Sequence, residues 1–100
     1  MKLHNLTNRF FNLEGRLYSG NLSEVASKIE TALDRTSSLV INMDSLEKFD
    51  TAGAYMLYIA RNKARENNKE IILVCRKNKM VKRIFNFAGI RYNNKIPKVI

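Results

Sequence analysis

The sequence has little of what most active sites are built from. Its 100 residues include one Cys and one His, whereas a metal site of the usual kind needs several such ligands at regular spacing. With His4 as the only histidine, neither a Cys/His pair nor a Ser-His-Asp set can be assembled. We therefore expect no metal, no cofactor and no catalytic residue.

Cysteine and long apolar runs are also scarce. The single Cys75 lies in "IILVC", which predicts a buried core thiol rather than half of a disulfide. The longest uncharged apolar run falls far short of the ~20 residues that a membrane span needs, and "MKLHNLTNRF" lacks the apolar segment of a secretory signal. A chain of this length forms one core, so we expect residues 1–100 to be a single cytoplasmic domain.

Acidic residues are missing from the last third of the chain. Of the net charge of +9, residues 71–100 contribute 8 Lys/Arg and no Asp or Glu. Such a field fits a solvated face, or a surface for an acidic protein, an anionic membrane or nucleic acid. Nucleic acid is the weakest of these, because few aromatic rings are available for base stacking. The candidate basic surface comprises Lys79, Lys82 and Arg83.

Strand and helix signals alternate along the chain. Residues 9–17, "RFFNLEGRL", predict a strand with a bend at Gly15, and His4 is placed in an N-terminal strand. Apolar residues at helical spacing follow over residues 21–35, with Asn21 or Ser23 as the N-cap. The remaining elements are a strand in "SSLVINM", a helix over "TAGAYMLYIARNKAREN", a strand in "KEIILVC", a helix over "KNKMVKRIFNFAG" closed by Gly89, and an edge strand in "IPKVI".

This order predicts an α/β fold, a mixed sheet of about four to five strands with three to four helices packed against it. The runs "LVINM" and "IILVC" are expected to be central strands buried on both faces. In open α/β sheets, ligands and partners bind beyond the ends of such strands. The turn from Asp50 to Gly53, between a central strand and the second helix, is therefore the candidate site.

The residue types in this turn do not support chemistry. A general acid or base role for Asp50 needs a second titratable group nearby, and one glycine without an adjacent lysine does not make a phosphate loop. The carboxylate of Asp50 and the hydroxyl of Thr51 instead suit a helix N-terminus, where each can accept a backbone N–H bond. The turn is interpreted as a helix start.

The second helix carries two stripes of residues at helical spacing. One is small and apolar and suits packing on the sheet; it comprises Gly53, Met56, Leu57, Ala60 and Ala64. The other comprises Tyr55, Tyr58, Ile59 and Asn62. A helix packed on one side needs only the first stripe, so the second is either covered by neighbouring loops or docks a partner, a role that tyrosine suits.

A family resemblance runs through these elements. Residues 39–90, "LVINMDSLEKFDTAGAYMLYIARNKARENNKEIILVCRKNKMVKRIFNFAGI", resemble the central and C-terminal part of a STAS domain, the fold of bacterial anti-sigma factor antagonists. The shared pattern is a strand, an Asp-Ser/Thr-small-Gly turn, a helix, a strand, and a helix closing on a pair such as Gly89-Ile90. "LEGRL" at 13–17 resembles the early strand of the family.

The resemblance implies a non-enzymatic protein that binds a partner, a kinase that is also an anti-sigma factor. It implies that the partner docks at the start of the second helix and that phosphorylation of the Ser or Thr before the turn glycine controls binding. The partner-binding residues expected on this basis are Asp50, Thr51, Ala52, Gly53, Tyr55, Tyr58, Ile59 and Asn62.

This sequence departs from the family pattern at the phosphorylated position. Ala52 precedes the glycine and has no hydroxyl, while Thr51 lies one residue early and is a phosphorylation site only for a kinase that accepts a shifted register. Tyr18 and Asn42 also stand where switchable members carry Asp. We therefore expect that a serine kinase partner does not phosphorylate the turn.

Two functions of different classes follow. The first is a regulator of the anti-sigma-antagonist type that binds its partner constitutively. The second is the cytosolic STAS subunit of a phospholipid-transporting ABC complex of the Mla type, which would bind the transporter ATPase or permease near an anionic inner leaflet. We favour the regulator. A neighbouring gene for a kinase or sigma factor would support it, whereas neighbouring genes for an ABC permease and ATPase would support the transporter subunit.

Overall fold

A computed structural model describes residues 9–97 of the chain. Strands and helices alternate within them in the order β1 Phe10–Asn12, β2 Gly15–Leu17, α1 Leu22–Leu33, β3 Ser38–Asn42, β4 Leu46–Phe49, α2 Thr51–Glu66, β5 Glu70–Val74 and α3 Lys79–Ala88. The predicted α/β class is confirmed. The expected strand holding His4 lies outside the described residues.

The strands of this region form two sheets rather than the single sheet expected. β3 is the centre of a three-stranded sheet with the order β1-β3-β5, and β2 pairs with β4 in a second sheet. All of these pairs are parallel. β3 is central, as predicted, with Leu39, Val40 and Ile41 buried.

β5 is not a central strand, contrary to the prediction. It pairs with β3 on one side only, and an isolated bridge joins Val74 to Asn93 on the other. The Asn93 N–H donates to the carbonyl of Leu73 (2.8 Å), and the Cys75 N–H donates to the carbonyl of Asn93 (2.9 Å). Asn93 thus covers this edge; of the edge strand predicted over 96–100, residues 96 and 97 are not in a strand and the rest lie outside the described residues.

The predicted strand over residues 9–17 is two strands separated by a change of direction. The N–H of Leu13 makes the last bond to the first sheet, 2.9 Å from the carbonyl of Asn42. Gly15 then adopts φ +76°, a conformation that glycine reaches without the penalty other residues meet. The bend at Gly15 is confirmed, and it moves the chain from one sheet to the other.

The sequence reasoning missed β4. This strand has four residues, of which Leu46 and Phe49 are buried and Glu47 and Lys48 are exposed. Such a pattern lacks the alternation by which a strand is recognised. Its two apolar ends were the only available signal.

The predicted helix signals hold for the end of α3 but not for the start of α1, where Ser23 is the second residue of the helix and Asn21 makes no capping bond. Asn21 precedes α1, but its side chain accepts from the N–H of Tyr18 (3.0 Å) and donates to the carbonyl of Arg16 (2.9 Å) instead of capping the helix. At the end of α3, Gly89 has φ +73°, the left-handed conformation expected of a closing glycine.

Aromatic contacts fix α3 on the rest of the domain. Phe85 is fully buried, meets Phe49 edge to face at 5.4 Å and stacks on Tyr92 at 5.3 Å between ring centroids. Burial of such a side chain stabilises the fold by about 1.5–3 kcal/mol. β4, α3 and the segment after α3 are thereby held as one unit.

Candidate functional site

The candidate turn follows β4, not the central strand as predicted. β4 ends at Phe49, which lies opposite Leu17 of β2 in the parallel register. The carboxyl ends of β2 and β4 therefore meet, and the backbone N–H of Ser19 donates to Asp50 Oδ2 at 3.0 Å. Asp50 joins the loop after β2 to the start of α2.

Asp50 also caps α2. Its Oδ1 accepts from the backbone N–H of Gly53 at 2.9 Å, as expected for an N-cap carboxylate. Burial by itself raises the pKa of Asp50, but the N–H donors of Gly53 and Ser19, together with nearby Lys48, outweigh it and hold the pKa below its usual value. The structural role predicted for Asp50 is confirmed, and Thr51, expected to cap the helix, is instead its first residue and exposed.

Contacts inside the domain explain why residue 53 is a glycine. A Cβ at this position would lie 2.8 Å from the carbonyl oxygen of Leu17 and 3.0 Å from the Leu17 side chain. Even the smallest side chain would push α2 away from β2, because backbone cannot yield cheaply at that distance. The contact of α2 with β2 therefore requires glycine at position 53.

The two stripes of α2 separate as core and surface. Gly53, Leu57 and Ala64 are buried, and Met56 and Ala60 are half-buried against the core. Ala54 is fully buried too, although the predicted stripe omitted it.

The second stripe is largely exposed. Tyr55, Tyr58 and Ile59 are 49%, 40% and 61% exposed, and Asn62 is half-buried. Neighbouring loops thus leave much of these side chains uncovered. An exposed group of large apolar side chains on one helix is typical of an interaction surface.

Arg61 borders this surface at Tyr58. Its guanidinium carbon lies 6.0 Å from the centroid of the Tyr58 ring, and its Nη1 donates to the carbonyl of Arg91 at 2.7 Å. Burial, with the charges of Arg65 and Arg91, lowers the pKa of Arg61. The Arg61 bond joins α2 to the segment after α3 beside Tyr58.

Tyr18 also lies near the turn. The Lys48 ammonium nitrogen lies 4.5 Å from the centroid of the Tyr18 ring, a cation–π distance. The ring is so close to Gly20 that a Cβ there would lie 2.5 Å from it. Tyr18 thus places an aromatic ring on the loop beside Asp50. The family resemblance predicts Asp at this position.

A second junction, which sequence reasoning missed, lies at the ends of β3 and β5. Asp44 Oδ1 accepts from the backbone N–H groups of Arg76, Lys77 and Asn78 at 2.8, 2.8 and 3.3 Å. Burial raises the pKa of Asp44, but these three donors outweigh it and lower the pKa overall. An Asp that follows one parallel strand, with polar residues after its neighbour, was the available signal.

Asn78 completes this second junction. Its Nδ2 donates to the carbonyls of Asp44 (3.2 Å) and Leu46 (2.8 Å), while its Oδ1 caps α3 by accepting from the N–H of Val81 at 3.2 Å. Cys75 is fully buried beside it, and burial raises the pKa of the thiol. The prediction of Cys75 as a core residue is confirmed.

The predicted basic surface is only partly open. Lys79 and Arg83 of α3 are exposed, whereas Lys82 is half-buried. Within residues 9–97, no three His, Cys, Asp or Glu side chains come close enough to share a metal ion. The helices of the same region include none with the length and apolarity to cross a membrane.

Comparisons with known proteins agree with this fold. The family model of the STAS domain matches residues 2–98. Among solved structures, that of the anti-sigma factor antagonist SpoIIAA in its unphosphorylated form superposes with a TM-score of 0.65 at 20% sequence identity, covering 81% of this chain and 71% of that one. The search of curated proteins found no match. Since the family model spans nearly all of the sequence, this chain belongs to the STAS domain family.

Proposed function

We propose that this protein is a non-catalytic cytoplasmic regulator that acts by binding another protein, in the manner of an anti-sigma factor antagonist. The observation that carries the proposal is the exposed second stripe on the outer face of α2, with Tyr55, Tyr58 and Ile59. This stripe begins about one turn after the Asp50 cap. Membership of the STAS family and a fold like that of SpoIIAA support the same class of function.

The stripe suits close contact with a protein. Tyrosine rings supply large contact area at a modest entropic cost and are enriched among the residues that dominate binding energy. The base of the stripe is rigid, because Asp50 is bonded to both Ser19 and Gly53 and because α2 sits directly on the Leu17 backbone. A partner therefore meets a preformed surface formed by Tyr55, Tyr58, Ile59 and the half-buried Asn62, with exposed Thr51 and half-buried Ala52 at its edge.

Binding is constitutive in this proposal. The residue before Gly53 is Ala52, so a kinase that modifies the hydroxyl at that position finds none. Thr51 has an exposed side chain, but it is the first residue of α2 and precedes by one position the residue that such a kinase modifies. The kinase therefore does not add to this turn the phosphate that would release the partner.

The test uses the anti-sigma factor kinase encoded in the same genome, mixed with the wild type and with Ala52→Ser. We expect the wild type to co-elute with the kinase on size exclusion before and after ATP is added. Ala52→Ser should gain phosphate by mass spectrometry and dissociate from the kinase. Phosphate on Thr51 of the wild type would contradict constitutive binding, and failure of the wild type to co-elute would contradict the proposed partner class.

A second candidate is the cytosolic subunit of a phospholipid-transporting ABC complex, which the basic last third of the chain favours. Residues 71–97 hold seven Lys and Arg residues. Each cation near an anionic inner leaflet contributes on the order of 1 kcal/mol of binding free energy. Co-purification with an ABC ATPase or permease, in place of a kinase, would establish this alternative.

A further inference from the structure

The outer face of α3 carries the most exposed large apolar side chain within residues 9–97. Phe87 is 83% exposed, whereas Phe85, two residues earlier, is fully buried. One phenyl ring of the helix therefore lies in the core and the other in water. Since an exposed ring forgoes the stabilisation that burial brings, packing of the domain does not account for Phe87.

Two cations lie in line with this ring. Lys79, Arg83 and Phe87 are four residues apart on one helix, so their side chains lie above one another on the same face. All three are exposed. At a rise of 1.5 Å per residue, this basic-aromatic stripe is about 12 Å long, with the phenyl ring at its C-terminal end.

The positive charge of the stripe is not neutralised by the domain. Of the side chains that the structure describes, only Lys28 and Glu24 form an ion pair. Asp44, the carboxylate bonded to the loop before α3, has its Oδ1 bonded to three backbone N–H groups. Lys79 and Arg83 are thus available to an anionic surface outside the molecule.

We propose that the basic-aromatic stripe docks on an anionic lipid bilayer. Lys79 and Arg83 would meet the headgroup phosphates, and the Phe87 ring would enter the boundary between headgroups and acyl chains, as on helices that lie at a membrane surface. An acidic protein would satisfy the cations equally well, but it would also need a pocket to receive a ring that projects from a convex helix. A bilayer receives the ring at any point.

Flotation with vesicles tests the proposal on the intact protein. We expect binding to equimolar phosphatidylglycerol and phosphatidylcholine, no binding to phosphatidylcholine alone, and weaker binding as salt is raised. Arg83→Gln should lower the partition coefficient about fivefold, the equivalent of ~1 kcal/mol for one surface cation. The matched control Arg35→Gln removes the same charge at an exposed position beyond α1 and should leave the coefficient unchanged.

Phe87→Trp reports insertion of the ring directly. The chain has no tryptophan, so the introduced indole is the sole emitter of its kind. Its fluorescence should shift to the blue with anionic vesicles and be quenched by brominated lipid, while Phe87→Ser should bind the same vesicles less well. Tyr58→Ala should bind them normally, because Tyr58 lies on α2.

Three results would overturn the proposal. One is an indole emission that does not respond to anionic vesicles. Another is an equal loss for Arg83→Gln and Arg35→Gln, which would assign binding to net charge alone. The third is binding to polyglutamate, and not to vesicles, that depends on Arg83, which would assign the stripe to an acidic protein.

Discussion

The two helices α2 and α3 are built alike at their starts and differ on their outer faces. Each follows a parallel strand, and each is capped by a side chain, Asp50 for α2 and Asn78 for α3, in a junction between two loops. The outer face of α2 then presents partly covered tyrosines and an isoleucine, whereas that of α3 presents cations and a free phenyl ring. Similar supports thus hold two chemically different surfaces, and we assign them different contacts in our proposals: a protein on α2 and an anionic bilayer on α3.

The largest effect separates the two faces of α2 itself. Leu57 is fully buried, while its neighbour Tyr58 is 40% exposed. Leu57→Ala should lower the free energy of unfolding by about 2–5 kcal/mol through a core cavity, and Tyr58→Ala by less than about 0.5 kcal/mol, as for ordinary surface positions. Urea unfolding of both variants measures this. A Tyr58→Ala protein as unstable as Leu57→Ala would show that the outer face is core.

The next effect concerns the support of α3. Asp44→Ala leaves three backbone N–H donors without their acceptor and should cost about 1–3 kcal/mol of stability. Hydrogen exchange should rise at Arg76, Lys77 and Asn78 more than in β3. An unchanged unfolding midpoint would mean that water replaces the carboxylate and that the junction is not a support.

The support of α2 should be weaker than that of α3. Asp50→Ala removes one cap bond and one bond to Ser19 and should cost about 0.5–2 kcal/mol. Asp50→Asn keeps an acceptor at the cap and should recover part of the loss. If Asp50→Ala costs more than Asp44→Ala in the same urea titration, the order of the two supports is reversed.

The smallest effect is in the pH dependence of stability. The pKa values of Asp44 and Asp50 are both lowered in the folded protein, so each carboxylate contributes stability above its unfolded pKa of about 3.9. That contribution is lost as the pH falls through the folded pKa. Unfolding free energies measured from about pH 7 down to about pH 3 should decrease less steeply for Asp44→Asn/Asp50→Asn than for the wild type. Parallel curves would contradict the pKa shifts.

Much of the fold could be predicted because its signals are local. The apolar runs of β3 and β5, the helical spacing in α2 and the closing Gly89 each depend on residues close together in sequence. β4 could not, because two exposed charges separate its buried ends and its partner β2 lies about thirty residues away. Assigning the candidate turn to the central strand was a consequence of that omission.

The candidate site was predictable in its position but not in its contacts. Asp50 as a helix cap and the second stripe of α2 follow from spacing and residue type. The reason for Gly53 does not, since it depends on the Leu17 carbonyl, and the Asp44 junction depends on which strands become neighbours. Contacts between loops at the ends of parallel strands are set by sheet order, which single-sequence patterns do not contain.

A calorimetric titration of the anti-sigma factor kinase with wild type and Tyr58→Ala tests most directly whether the outer face of α2 docks the partner. Tyr58→Ala should raise the Kd by about 5- to 150-fold, corresponding to roughly 1–3 kcal/mol, with a melting temperature close to that of the wild type. A Tyr58→Ala protein that binds with the wild-type Kd would contradict the assignment of the outer face of α2 as the partner-docking surface.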